Sequence, residues 1–360
     1  MGVLSDKFGV PPFSILDSKQ GYWQNRKREW LTIGLDSEVG RDARAFNIGE
    51  WVEEKEKSGA KTDVSIFDPV LCELSYKWFC KPRGKILDPF AGGSVRGIVA
   101  SVFGYDYTGV DLRQEQITAN FENINKLTIK LPIIPNWVCG DSMNISSVGG
   151  KYDLIYSCPP YHDLEKYSED KNDLSNMDYD KFILNYREII RQCVTMLNDN
   201  SFAVFIVGEI RDKRGFYKNF VQDTVNAFID AGMKYYNDII LNNVIGTMAL
   251  RVSKQFEPYR KIGKLHQNVL VFYKGDIKQI KPMDMENNVF KPLTEINIPP
   301  ITRDYQQLQI SNVEPQPEIM SVGVTIFKCD VCGFVAKDQD AFDKHIPRPF
   351  HQDQLTRHVE

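Results

Sequence analysis

Lys85-Ile-Leu-Asp-Pro-Phe-Ala-Gly-Gly-Ser94 begins as a short apolar run, breaks at a proline, turns on two glycines and passes into the apolar stretch from Val95 to Phe103. That order reads as strand, glycine turn and helix. Glycine lets the backbone come close to a ligand at the carboxyl end of a first strand, where open parallel sheets bind theirs. The stretch lacks the spacing of a dinucleotide fingerprint and has no Lys-Ser or Lys-Thr after its glycines. It therefore implies neither a nicotinamide dinucleotide nor a phosphate loop.

Outward from this turn, β-rich runs alternate with helical periodicity between Gly84 and Lys274, the pattern of a doubly wound α/β sheet. Seven strands are predicted, at residues 85–88, 107–111, 137–140, 153–157, 202–207, 238–242 and 268–273. Helices are predicted near 94–103, 113–125, 179–197 and 216–231, the third with Phe182, Tyr186, Ile189, Ile190, Cys193 and Leu197 on one face. Gly104 and Gly232 stand where helix C-caps are expected. Residues 243–265 read as a long loop. The chain divides into an N-terminal flap or extension at 1–64, the α/β domain at 65–279, a proline-rich linker at 280–321 and a small module at 322–360.

Acids close three successive strands: Asp88 in the glycine turn, Asp111 in Thr108-Gly-Val-Asp111, and Asp141 in Cys139-Gly-Asp-Ser142. Asp111 occupies the place where Rossmann-like folds set an acid on ribose hydroxyls. The fourth strand runs directly into Cys158-Pro-Pro-Tyr161, whose prolines make a stiff corner.

Together these motifs resemble the N4-cytosine and N6-adenine (amino) DNA methyltransferase family. Asp88-Pro89-Phe90-Ala91-Gly92-Gly93 is similar to its Asp-Pro-Phe-x-Gly-x-Gly motif, with the last glycine displaced. Cys158-Pro159-Pro160-Tyr161 is similar to its tetrapeptide, in which Asp, Asn or Ser precedes Pro-Pro and an aromatic. The resemblance covers about residues 65–274 and implies a Rossmann-like, seven-stranded, S-adenosylmethionine-dependent methyltransferase sheet. It implies S-adenosylmethionine as cofactor, with Asp88 at its methionine end, Asp111 on its ribose and Asp141 beside the adenine amine. It places DNA as the partner. An exocyclic amine conjugated with its ring is a poor nucleophile until acceptors draw its hydrogens. The resemblance assigns that task to the first side chain of the tetrapeptide and the Pro159 carbonyl, and base stacking to Tyr161.

Cys158 departs from the family, because a thiol is a weak hydrogen-bond acceptor. Either it substitutes for the isosteric serine, or Ser157 or a loop residue contributes. The serine-like shape leans toward cytosine N4, with adenine N6 open. A covalent role for Cys158 is the weaker reading, since enzymes that methylate the pyrimidine ring carbon resemble a different motif. His162 reads as a loop histidine.

Basic residues outnumber acidic ones from Arg251 to Lys281, and Arg251, Lys254, Arg260 and Lys261 are the expected phosphate contacts. A solvated charged loop would look the same. The net charge of -4 decides nothing, since nucleic-acid binding needs local charge.

Near the end, Cys329-x2-Cys332-x12-His345-x5-His351 has the spacing of a two-Cys, two-His zinc finger, and a structural Zn2+ is expected there. Pro347 and Pro349 interrupt its His-to-His segment, and His358 is an alternate ligand. No apolar run is long enough to span a membrane and the start carries no secretory pattern, so a cytoplasmic location is expected. Oligomeric state is not legible. Two other functions stay open: methylation of RNA or of a protein glutamine, and a zinc-finger nucleic-acid binder on an inert methyltransferase scaffold.

Overall fold

Along the central strands, neighbouring side chains serve opposite cores. Ile86, Leu154, Tyr156, Val204, Ile206, Val269 and Val271 pack into one cluster, while Leu87, Ile155, Ala203, Phe205, Val207, Leu270 and Phe272 pack into another. This alternation buries both faces of a sheet, so its strands read as almost continuous apolar runs. The computed structural model describes residues 3–35, 67–162, 173–243, 245, 248–283, 290–296 and 298–300, with the backbone of 327–328 and 335–336.

The chain runs α1 (Val3–Phe8), β1 (Ile15–Asp17), α2 (Gly21–Thr32), α3 (Pro69–Phe79), β2 (Lys85–Asp88), α4 (Val95–Val102), β3 (Asp106–Asp111), α5 (Gln114–Ile124) and β4 (Asn136–Cys139). It continues through β5 (Tyr152–Ser157), α6 (Tyr179–Met196), β6 (Leu197–Val207), α7 (Phe220–Asp230), β7 (Lys234–Asn242), α8 (Met248–Tyr259) and β8 (His266–Lys274). The sheet order is β1-β7-β8-β6-β5-β2-β3-β4. Only β8 runs antiparallel to its neighbours. One face carries α2, α3 and α4, with Trp23, Trp30, Leu71 and Ile98 buried. The other carries α6 and α7 through Phe182, Tyr186, Phe220 and Phe228.

Local chemistry fixes the element ends. Asp68 caps α3, accepting from the Val70 and Leu71 amides ahead of a first-turn proline. Gly104 and Gly232 have φ of +72° and +94°, the left-handed values that end a helix.

Three expectations change. All seven predicted strands form, but the sheet has eight, because Ile15–Asp17 pairs in parallel with β7. Three residues with one buried side chain, Leu16, carry no readable period. The supposed loop at 243–265 contains α8, in which Met248, Val252, Phe256 and Tyr259 recur at helical spacing although Phe256 and Tyr259 are exposed. The N-terminal segment is also more than a laid-on flap. Its Arg26 reaches the fully buried Glu73 through two bonds of 2.7 Å and the Lys291 carbonyl through a third. That last contact, with buried Leu293, draws the start of the expected linker onto the same body.

Residues Met1–Arg303 form one compact unit and Asp304–Glu360 a second. In the second, β9 (Phe327–Lys328) and β10 (Val335–Ala336) pair antiparallel. No helix among the described residues is long and apolar enough to cross a membrane.

Candidate active site

β2 and β5 are parallel neighbours, with Leu87 opposite Ile155. The glycine turn and the proline corner therefore leave the sheet from adjacent strands at the same carboxyl edge. A direct bond ties them: Ser157 Oγ donates to Asp88 Oδ1 at 2.6 Å.

Asp88 is 0% exposed, and both its oxygens are committed. Oδ1 also accepts from the Phe90 amide at 3.1 Å, while Oδ2 accepts from Arg96 Nε at 2.6 Å and Tyr107 Oη at 2.7 Å. Burial, and then the Asp88 charge, push the Tyr107 phenol well above its ordinary range, which keeps it a donor. With its acceptor positions filled by the protein, Asp88 braces the turn.

The turn itself is pinned from both sides. Arg96 donates to the carbonyls of Phe90 and Ala91. Asn120 Nδ2 donates to the Gly92 carbonyl at 2.7 Å and is oriented by Gln116 at 3.0 Å. The Ala91 amide bonds the Val110 carbonyl at 2.8 Å and the Gly92 amide bonds Asp111 Oδ2 at 3.0 Å. Gly92 has φ +49°, and a Cβ on Gly109 would stand 2.8 Å from that of Ala91. Both positions thus need glycine for the turn to close over β3. Pro89 and Gly93 are buried within it.

Asp111 accepts from the Arg113 amide at 2.9 Å through Oδ1, which leaves one lone-pair position on each of its oxygens. Burial lifts its carboxyl above the ordinary value, against the pull of the Arg113 and Gly92 bonds. Asp141 caps the 3-10 turn Ser142–Val148 through the Met143 amide at 2.9 Å. Ser142 Oγ bonds the Pro89 carbonyl, and the Gly140 amide bonds the Asp111 carbonyl at 2.9 Å. The three strand-end acids are thus drawn around one turn.

On the other side, Pro159 is buried while Cys158, Pro160 and Tyr161 are half-buried. Cys158 Sγ lies 3.8 Å from Tyr161 Oη. Tyr161 Oη accepts from Gln267 Nε2 of β8 at 2.7 Å, and Asn243 Nδ2 lies 3.4 Å from Gln267 Oε1. The Tyr161 ring meets Phe220 edge-on at 6.4 Å, and a Cβ on Gly208 would stand 3.6 Å from it. Ser157 is fully buried and donates its hydroxyl hydrogen to Asp88, which leaves the lone pairs of its oxygen as acceptors. His162 is buried with φ +47°. Its Nε2 bonds the Met177 carbonyl at 2.9 Å, so Nδ1 accepts from Lys218 at 2.9 Å.

The basic stretch is placed less tightly. Arg251 belongs to α8, Lys254 and Arg260 are exposed, and the Lys261 ammonium rests against Gly215. Cys329, Cys332, His345 and His351 lie outside the described residues. Among the described residues no group of three His, Cys, Asp or Glu could hold a metal ion.

Arg96, Tyr107, Asn120 and Gln267 are absent from the sequence-based site. Arg96 carried a signal, being a lone charge in an otherwise apolar helix start. Gln267 carried none, since only the sheet order brings β8 beside the proline corner.

Residues 152–330 match the family described as DNA methylase (N6_N4_Mtase), a match that begins with β5 and takes in the tetrapeptide. No curated protein matches the chain. Among solved structures, TrmN from Thermus thermophilus is 13% identical over 57% of this chain and 48% of its own, with a TM-score of 0.38. The chain thus spans about half the length of that protein. A TehB-like SAM-dependent methyltransferase from Corynebacterium glutamicum is 17% identical over 64% of this chain and 98% of its own, at TM-score 0.36. A methyltransferase from Pyrococcus furiosus is 16% identical over 70% and 100%, at 0.38. The family match covers just under half of the chain.

Proposed function

We propose that this chain transfers a methyl group from S-adenosylmethionine to an exocyclic amine of a base in DNA, cytosine N4 or adenine N6. One observation carries the reading: the Ser157 to Asp88 bond, which couples the glycine turn to the Cys-Pro-Pro-Tyr corner across adjacent strand ends. A bound donor needs a close backbone approach and ribose and adenine partners. Gly92 and Gly93, the open lone-pair positions of Asp111, and Asp141 fit that need. When bound, the cofactor supplies an electrophilic methyl. Asp88, Arg96 and Asn120 keep the turn in shape, so that little ordering cost falls on binding.

Tyr161 offers its face to a base taken out of the duplex. The Pro159 carbonyl and Cys158 Sγ accept the hydrogens of its amine, which frees the nitrogen lone pair for attack. The serine-like shape of Cys158 favours cytosine N4. Arg251, Lys254, Arg260 and Lys261 would meet phosphates, in keeping with an enzyme that works on cytoplasmic DNA. The spacing of Cys329, Cys332, His345 and His351 supports a structural Zn2+ in the second unit, where β9 and β10 flank the first two in sequence.

The test is transfer of labelled methyl from S-adenosylmethionine to duplex DNA, RNA and protein, followed by digestion of the DNA to nucleosides and mass spectrometry. N4-methylcytosine or N6-methyladenosine in its deoxy form is expected. Label found only in RNA or protein overturns the reading.

A further inference from the structure

Gly208 and Phe220 both wall the Tyr161 ring, and between them the chain leaves the sheet edge and returns. The excursion is a tight hairpin rather than a slack loop. The Lys218 amide bonds the Ile210 carbonyl at 2.8 Å, the Asp212 amide bonds the Phe216 carbonyl at 2.8 Å, and Arg211 bridges Tyr217. Arg211 also donates to the Gly215 carbonyl at 2.6 Å and lies 3.9 Å over the Tyr217 ring. Its root is set by buried Ile210 and by Glu209, which accepts from the Val221 amide.

What this rigid hairpin presents is unusual. Phe216 is 68% exposed at its tip and Tyr217 43%. Lys213 and Arg214 flank the tip in solvent, with the Arg214 guanidinium 5.9 Å from the Phe216 ring centre. Lys261 reaches in from the α8 side against Gly215. The nearby acid, Asp212, accepts from the Phe216 amide at 2.9 Å and pairs with Arg214 at 3.2 Å, a surface ion pair that a phosphate would displace. A single exposed phenylalanine is ordinary on a protein surface. A fixed one, ringed by cations and rooted in the wall of the Tyr161 site, calls for a partner that is both polyanionic and stacked.

We propose that the 211–217 hairpin docks duplex DNA, with Lys213 and Arg214 on phosphates and the Phe216 ring wedged into the base stack beside the nucleotide delivered to Tyr161. The assignment rests on the reading of Tyr161 as the base platform. Apolar wedges open base steps, and an opened step lowers the cost of extruding the target. The same geometry gives single-stranded DNA no stack to open, so the wedge matters for duplex alone.

The experiment compares the full chain with Lys213→Gln/Arg214→Gln and with Phe216→Ala, each checked for an unchanged unfolding midpoint. Binding to a labelled mixed-sequence duplex is followed by fluorescence anisotropy against salt. The double variant should lower the slope of log affinity against log salt by about 2, near 0.9 per lost phosphate contact. Phe216→Ala should keep the slope and lose roughly tenfold in methyl transfer to duplex, with single-stranded DNA unaffected and Phe216→Leu intermediate. Equal slopes together with equal duplex-to-single-strand ratios overturn the proposal, as does tighter hairpin-dependent binding of duplex RNA. Hairpin-dependent DNA binding without methyl transfer to any DNA would refute the proposed activity and leave the docking surface standing.

Discussion

Asp88 and Tyr161 lie on adjacent arms of one sheet edge but are held in opposite ways. Around Asp88 four donors converge in a dry pocket, the longest of them at 3.1 Å. Around Tyr161 the bonds form an open chain through Asn243, Gln267 and Cys158, with separations of 3.4, 2.7 and 3.8 Å. The first arrangement resists change, since every polar group there would be orphaned by movement. The second holds a ring in place while leaving its face and its thiol neighbour half-exposed. The proposed function asks for that asymmetry, since a site for a diffusible cofactor and a base pulled from a helix needs one wall preformed and the other accessible.

Substitutions can break or sharpen the contrast. Arg96→Ala should have the largest effect, because it strands a fully buried carboxylate. A loss of about 3–5 kcal/mol is expected for breaking a buried pair, read from urea unfolding, together with loss of cofactor binding by calorimetry. A change near zero would mean that the Asp88 pocket admits water. Tyr161→Ala should leave cofactor affinity alone and cut methyl transfer roughly ten- to hundredfold, from the about 1–3 kcal/mol of a base on an aromatic. Equal loss of cofactor affinity would erase the division between the walls.

Smaller effects probe the open chain. Gln267→Leu removes one neutral hydrogen bond to Tyr161, worth about 1 kcal/mol. It should lower kcat roughly fivefold with cofactor affinity unchanged, whereas Gln267→Glu, which keeps an oxygen near the phenol, should recover part of it. Cys158→Ser exchanges a weak acceptor for a stronger one. A gain of roughly two- to threefold in turnover, about 0.5 kcal/mol, is expected. Activity appearing only in that variant would mean that the native thiol silences the site.

The sequence made the glycine turn, the tetrapeptide and seven strands legible because each rests on local pattern: alternation, a proline break, a glycine pair. The eighth strand was hidden by its length, whereas α8 had a readable helical spacing in Met248, Val252, Phe256 and Tyr259 that the long-loop reading passed over. The placement of β8 between β6 and β7 was hidden for another reason: strand order follows from which faces are buried together, a property of no single segment. That is why Gln267 escaped notice while Tyr161 did not. The bonds around Asp88 were hidden for the same reason, since Arg96, Tyr107 and Ser157 arrive at it from three other elements.

The pairing of Ile15–Asp17 with Ile240–Asn242 also orders events in time. Ser18 Oγ bonds the Asn242 carbonyl across 224 positions. During synthesis β1 leaves the ribosome well before β7 and must wait for it to emerge before it has that edge to join. β1 thus acts as a late clasp, and a nascent chain stopped short of β7 would carry it unfastened.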